Sequence, residues 1–300
     1  MIEQLLHISK ETPLQLFSSA KEWFSHYQEF TKDQETIDKA IIGGFMSQQF
    51  SFTFLCGYQA ALERMFPGIA PDRLKALCIS EANGNHPSSM ETSLIDHRIS
   101  GLKTYVTAGS EAEHLFVLCK TEESVNGRPL LKMVHMPSNA SNIEISNVDF
   151  PLLREIKHGK LTLTDAKIEE SQILEGDGFS DYTRPFRTLE DICVGIACQA
   201  MLLRQAFDHQ WDAQLRDQLL LNIYTLKNLF SLPPSAQETI LLLATADRSF
   251  EQIRPEIENH LTKQADSHIH KDWETNKAVL SMGKKLKQLR LSKARNRLFR

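Results

Sequence analysis

Apolar residues repeat with two different periods along this chain. Over residues 13–65 they recur every three or four positions, from about Leu77 to Ile168 they alternate, and from Thr188 onwards the helical period returns. Thr12-Pro13 is a cap followed by proline at a first helical position. Leu14, Phe17, Ala20, Phe24 and Tyr27 then share one face, which predicts a helix opening at Pro13. "KAIIGGFMSQQFSFTFLCGYQAALERMFP" is apolar nearly all round and predicts a buried helix that stops at Pro67. The middle of the chain reads as short strands: "KALCIS", "METSLI", "HRISGLKTYVTAG", "EHLFVLCKT", "PLLKMVHMP", "SNIEISNVD" and "GKLTLTDAKI". Within "ISGLKTYVTAG", Ser100-Gly101 supplies a hairpin turn, and Lys103 to Thr107 alternate around Tyr105-Val106. Helical stretches then follow in "TLEDICVGIACQAMLLRQAF", "DAQLRDQLLLNIYTLKNLF", "SAQETILLLATADRSFEQIRPEIENHLTKQ" and "DWETNKAVLSMGKKLKQLRLSKARNRLF".

This order predicts an α+β chain with a small barrel or sandwich inserted between two helical blocks. The expected boundaries are residues 1–75 for the N-terminal helices, 76–174 for the β-barrel and 175–300 for the C-terminal helices. Barrel loops set against helix ends suit a planar cofactor held between layers.

Composition narrows the class. The chain is 41% hydrophobic and 24% charged over 300 residues, as in ordinary soluble proteins with a sizeable core. No apolar run approaches the ~20 residues of a membrane helix, and "MIEQLLHISKETP" lacks the pattern of a signal peptide. The odd five cysteines lie mostly in apolar surroundings without a C-x-x-C pair, which predicts a reduced, cytoplasmic setting. Charge is uneven: residues 284–300 hold eight Lys or Arg and no acid, so removing that +8 from the net −4 leaves −12 on the rest. Such a tail can be solvated, docked on its own protein, or matched to phosphates or acidic partners. His268, His270 and Asp272 read as surface residues, and Glu111 to His114 lack a ligand spacing, so no metal site is expected. No Gly-x-Ser-x-Gly, phosphate-loop or dinucleotide motif occurs.

Four segments in collinear order carry a family resemblance. "LCISEANGN", Leu77 to Asn85, is similar to a first barrel strand ending in a Thr-Glu-Pro or Ser-Glu-Pro type sequence. "ISGLKTYVTAG" is similar to an Asn-Gly-x-Lys-x-Trp-Ile-Thr-Asn hairpin, with Tyr105 at the tryptophan and Thr107 at the threonine. "GKLTLTDAKIEESQILEGDGF" is similar to a strand entering a Gly-x-Gly-Phe turn, and "TLEDICVGIACQAML" to the helix that follows it. Together they resemble a shortened, divergent member of the acyl-CoA dehydrogenase family of flavoproteins, with N-terminal helices, a middle β-barrel and a C-terminal helical bundle.

The resemblance implies an FAD-dependent α,β-dehydrogenation of an acyl-CoA thioester. Tyr105 would stack on or flank the flavin, and Thr107 would donate to its polar edge. Leu77, Ile79 and Ser80 would contribute further cofactor contacts from the first strand, and Ser88 and Ser89 would approach substrate. Glu190, in Leu189-Glu190-Asp191, falls where one branch of the family carries its base. Asp191 replaces that branch's arginine, and a second carboxylate would raise one pKa of the two by repulsion; alternatively both acids sit in the first turn of a helix for its dipole. A homo-oligomer and an external electron acceptor are also implied.

The chain departs from the family in its Gly-poor turn "ANGNHPSSM", in lacking a Tyr-Glu-Gly-Thr type loop, and in lacking an Arg-x-x-Phe-Gly…Gln pattern. These departures put FAD binding in question. They define the alternative, a catalytically inactive acyl-CoA or partner-binding protein of the same fold. A third reading is nucleic-acid binding through Lys284 to Arg300.

Overall fold

The N-terminal sequence folds into helices α1 (Ile2–Glu11), α2 (Ala20–Thr31), α3 (Thr36–Phe45) and α4 (Phe50–Met65). The computed structural model describes residues 2–84, 86–264 and 267–299. Asn85, the last residue of the first-strand motif, and Arg300, the last of the basic tail, lie outside them, as do Met1, Ala265 and Asp266.

Pro13 does not open a helix. Ser19 does: its hydroxyl accepts the Glu22 N–H at 3.1 Å, so α2 starts one residue later. The stretch before it is tied down instead by Gln49, which accepts from the Phe17 N–H (2.8 Å) and donates to the Phe17 carbonyl (3.1 Å). The apolar segment expected as one helix is broken into α3 and α4. Ser47 turns its hydroxyl onto the Gln49 carbonyl at 2.9 Å, a side-chain bond that competes with the helical ladder. Both helices are buried as expected. A Cβ on Gly44 would lie 2.1 Å from the Ala197 carbonyl oxygen, and one on Gly57 2.5 Å from Val194 Cα, so glycine is what permits these approaches.

The strands are β1 (Lys75–Cys78), β2 (Ser93–Ile95), β3 (Arg98–Thr107), β4 (His114–Val125), β5 (Arg128–Pro137), β6 (Ile143–Val148) and β7 (His158–Lys167), one for each alternating segment. They form a single mixed sheet in the order β1-β4-β2-β3-β7-β6, with β5 also on β4. The Thr104 N–H donates to the Ser80 carbonyl at 2.8 Å, bringing the end of β1 back onto β3 and curling the sheet round. The β2–β3 turn lies at Asp96-His97, both with positive φ, not at Ser100-Gly101. Gly101 sits inside β3, where a Cβ would come 2.5 Å from Thr92 Oγ1. A π-helical turn (Gly178–Thr183) leads into α5 (Arg184–Asp208), α6 (Ala213–Phe230), α7 (Gln237–Thr262), α8 (His268–Asn276) and α9 (Lys284–Leu298). The last stretch is split because Gly283 takes a left-handed conformation.

Two compact units result: Met1–Ser18, Ser25–Arg64 and Thr188–Arg300 form one, and Ser19–Phe24 with Met65–Arg187 the other. No described helix is long and apolar enough to cross a membrane, and all five cysteines are buried and free.

The sheet unit encloses an ion pair. Lys103 Nζ lies 2.6 Å from Glu81 Oε1, with the two side chains 0% and 3% exposed. Glu81 also accepts the Glu91 (2.7 Å) and Thr92 (3.0 Å) N–H groups, and Met90 Sδ lies 2.9 Å from the ammonium. Burial pushes the Lys103 pKa down; Glu81 is held below its ordinary value by Lys103 and the backbone donors although burial opposes them. Lys103→Met strands a buried carboxylate and is expected to cost about 3–5 kcal/mol in urea unfolding. Adding Glu81→Gln removes the stranded charge and should restore part of that loss, although its single carbonyl oxygen keeps only one of the two N–H groups, which sit on different carboxylate oxygens; an additive double variant would contradict the pairing.

Candidate cofactor-binding site

The hairpin motif becomes a ledge because β3 carries one extra residue. Between Lys103↔Leu161 and Val106↔Gly159, β3 advances three residues while β7 advances two. Ile99 and Lys103 point inward, so strict alternation would send Tyr105 in as well. The bulge sends Val106 inward instead and leaves Tyr105 58% exposed at φ +55°. A left-handed tyrosine costs about 1–3 kcal/mol, and such positions persist where the surroundings fix them.

Thr107 lies opposite His158 of β7. The Tyr105 ring meets Phe150 edge-on at 5.8 Å, and Phe150 lies 4.5 Å from the His158 ring. His158 Nδ1 is 3.1 Å from the Ile156 carbonyl. A carbonyl can only accept, so Nδ1 carries the hydrogen and Nε2 is left as an acceptor. Burial lowers the His158 pKa, against the opposing bond to Ile156. A cavity of about 380 Å³ adjoins this cluster, lined by Asn147, Phe150, Arg154, Lys157 and His158 among others. The set offers an exposed aromatic ring, a hydroxyl donor and an imidazole acceptor, which fit a flat ring system with a hydrogen-bonding rim.

Other expected residues are placed as follows. Leu77 and Ile79 are buried, Leu77 opposite Phe116 in the parallel β1–β4 pair, and Ser80 is half-buried with its carbonyl on Thr104. Ser88 and Ser89 lie in a 3-10 turn (Pro87–Ser89). The Ser88 hydroxyl faces His86 Nδ1, and Ser89 donates to the His86 carbonyl at 2.9 Å. Glu190 belongs to the other unit, half-buried in α5. Because α5 begins at Arg184, Glu190 and Asp191 lie beyond its first turn, where the dipole effect has faded. Asp191 is not left to repel Glu190: Lys287 and Arg290 of α9 approach it at 3.1 and 3.5 Å. Phe150 and His158 were not foreseen; they are joined to Tyr105 and Thr107 only by the β3–β7 register. Asp272 of the histidine-rich segment is buried, accepting the Phe50 N–H and Asn276 Nδ2.

A second cluster in the same unit stacks Tyr182, Phe66, Phe116, His135 and His114 in a column. The His114 and His135 nitrogens are 2.9 Å apart with ring centroids at 5.1 Å, so the rings meet at their edges. One ring donates and the other accepts, and a proton on both facing nitrogens would set two N–H groups against each other.

A helical block, a mixed sheet and a second helical block, in that order, constitute the acyl-CoA dehydrogenase-like fold. Solved structures of that fold superpose over nearly the whole chain. An FAD-dependent dehydrogenase matches with a TM-score of 0.67 at 15% identity, covering 99% of this chain and 96% of its own. FkbI, for biosynthesis of the methoxymalonyl extender unit of Fk520, matches with a TM-score of 0.65 at 15% identity, covering 99% of each chain. Butyryl-CoA dehydrogenase from Megasphaera elsdenii matches with a TM-score of 0.62 at 12% identity, covering 90% and 85%. The likeness is one of fold. No family profile matches the sequence, and no curated protein matches it.

One buried and two half-buried imidazoles set an acid limit. Burial lowers the pKa of His114, His135 and His158 from 6.5, helped at His135 by His114 and Lys75, and at His114 by Lys75 and Arg73 against Glu113. Below about pH 6.5 the unfolded chain therefore binds more protons than the folded one, so stability falls as pH drops through that value. Thermal melts between pH 7.5 and 5.5 should show this decline, with a shallower slope in His135→Gln; equal slopes would exclude the histidine pair as its source.

Proposed function

We propose that the chain is an FAD-dependent oxidoreductase of the acyl-CoA dehydrogenase type. The observation that carries this reading is the exposed Tyr105 ring, joined through Phe150 to a cavity wall that includes His158, with Thr107 opposite His158 in the sheet, in a chain of this fold. Tyr105 would flank the flavin, Thr107 would donate to its rim, and His158 Nε2 would accept from an N–H or O–H there. The flavin, when bound, supplies the hydride acceptor. Glu190 takes the proton from the α-carbon of the acyl-CoA thioester, a role that asks for a partly buried carboxylate. On this reading the protein acts in the cytoplasm in fatty acid metabolism, as a homo-oligomer that passes electrons to an external acceptor.

One observation favours a second reading, an inactive acyl-CoA or partner-binding protein. The Ser88 and Ser89 hydroxyls are engaged within their own turn, which weakens that turn as a substrate contact.

The visible spectrum of the purified protein, before and after adding FAD, separates the two. The enzyme reading expects a bound-flavin spectrum that bleaches with an acyl-CoA, and a loss of at least about 100-fold in that reduction for Glu190→Gln. Tyr105→Ala should weaken FAD retention by roughly 3–10-fold, the value of one aromatic contact. A colourless protein that does not retain FAD would establish the second reading instead.

A further inference from the structure

The corner between α5 and α6 meets α7 at a cluster that the proposed chemistry does not use. Glu256 and His260 are spaced i, i+4 on α7 and so share one helix face. Asp212 stands at the N-cap of α6, yet its side chain makes no capping hydrogen bond; its Oδ2 lies 3.1 Å from His260 Nε2. One ligand atom from each of Asp212, Glu256 and His260 falls within 4.8 Å of the others.

The surroundings hold this arrangement. Trp211, 2% exposed, stacks on the His260 ring at 5.0 Å and 14°, fixing the plane in which Nε2 is presented. Its indole N–H is buried and has no acceptor among the described residues. Among the described residues neither carboxylate has a Lys or Arg partner. Arg216, one turn on from Asp212, places its guanidinium over the Phe207 ring at 6.0 Å. Two carboxylates beside an imidazole nitrogen offer the mixed oxygen and nitrogen donors that a divalent cation takes.

We propose that Asp212, Glu256 and His260 form a binding site for a divalent transition metal, with Zn²⁺ the best fit. Ligands at Zn²⁺ bond lengths in a tetrahedron stand about 3.3 Å apart, close to the His260–Asp212 separation, and Glu256 needs only a side-chain rotation of its exposed carboxylate to join them. The imidazole discriminates against Mg²⁺ and Ca²⁺, which take oxygen ligands. The fourth position goes to water. Bound metal would clamp the α5–α6 corner to α7, an effect separate from the flavin reading and independent of its outcome.

The test is calorimetric titration of Zn²⁺ into the full chain after removal of metal by chelator, with thermal melts alongside. One Zn²⁺ per chain is expected, with a higher melting temperature in its presence and no equivalent effect of Mg²⁺. His260→Ala should abolish both signals. Glu256→Gln, at an exposed position whose loss leaves the packing intact, should weaken binding by about 10–100-fold, as should Asp212→Asn. Absence of binding at millimolar Zn²⁺ would overturn the proposal. So would binding unchanged in Glu256→Gln, or binding lost in His114→Ala and kept in His260→Ala.

Discussion

An ammonium group taken out of water needs a counter-charge and a full set of hydrogen-bond partners, or it costs several kcal/mol. Lys103 has its counter-charge and a short hydrogen bond in Glu81 and a second contact at Met90 Sδ, and much of the sheet unit follows from that requirement. Glu81 lies just beyond β1 and also accepts backbone N–H groups at the entry to β2, so one carboxylate joins three strands. With Lys103 drawn inward, β3 has a fixed phase at its centre. The bulge that follows shifts this phase by one residue. That shift exposes Tyr105, buries Val106, and sets Thr107 opposite His158. The ledge is therefore positioned by the buried pair and the bulge as well as by the Tyr105–Phe150 contact, and the strain at Tyr105 is tolerated because residues on both sides are fixed.

The strands were legible because alternation is local. Each of the seven β-rich segments pairs within the sheet, and the turn residues between them do what turn residues do. Phase and partnership were not legible. Ser100-Gly101 reads as a turn by composition, but Asp96-His97 turns the chain, and Gly101 is needed for its approach to Thr92. At the N-terminus two valid start signals compete; Ser19 caps the helix while Pro13 lies in a segment held by Gln49. The apolar run through residues 39–67 concealed its break, because Ser47 and Gln49 act through hydrogen bonds that hydrophobic periodicity does not register.

The candidate site divides the same way. Tyr105 and Thr107 stand out in a short motif, whereas Phe150 and His158 come from the loop after β6 and the start of β7. No local pattern marks them. The register of β7 against β3 brings His158 to Thr107, and register is a property of the folded sheet. Glu81 and Lys103 each sat within a recognisable motif, but their partnership depends on the curl of the sheet.

Adjacent acids on a helix point about 100° apart, so Glu190 and Asp191 serve different neighbours even though the sequence presents them as a dyad. Asp191 faces α9, where Lys287 lies between it and Asp247 and is held above its ordinary pKa by both carboxylates against the effect of burial. Part of the basic tail is thus internal counter-charge, which accounts for two of its cations without any external anion. The same contacts offset the charge of Asp191 as seen from Glu190.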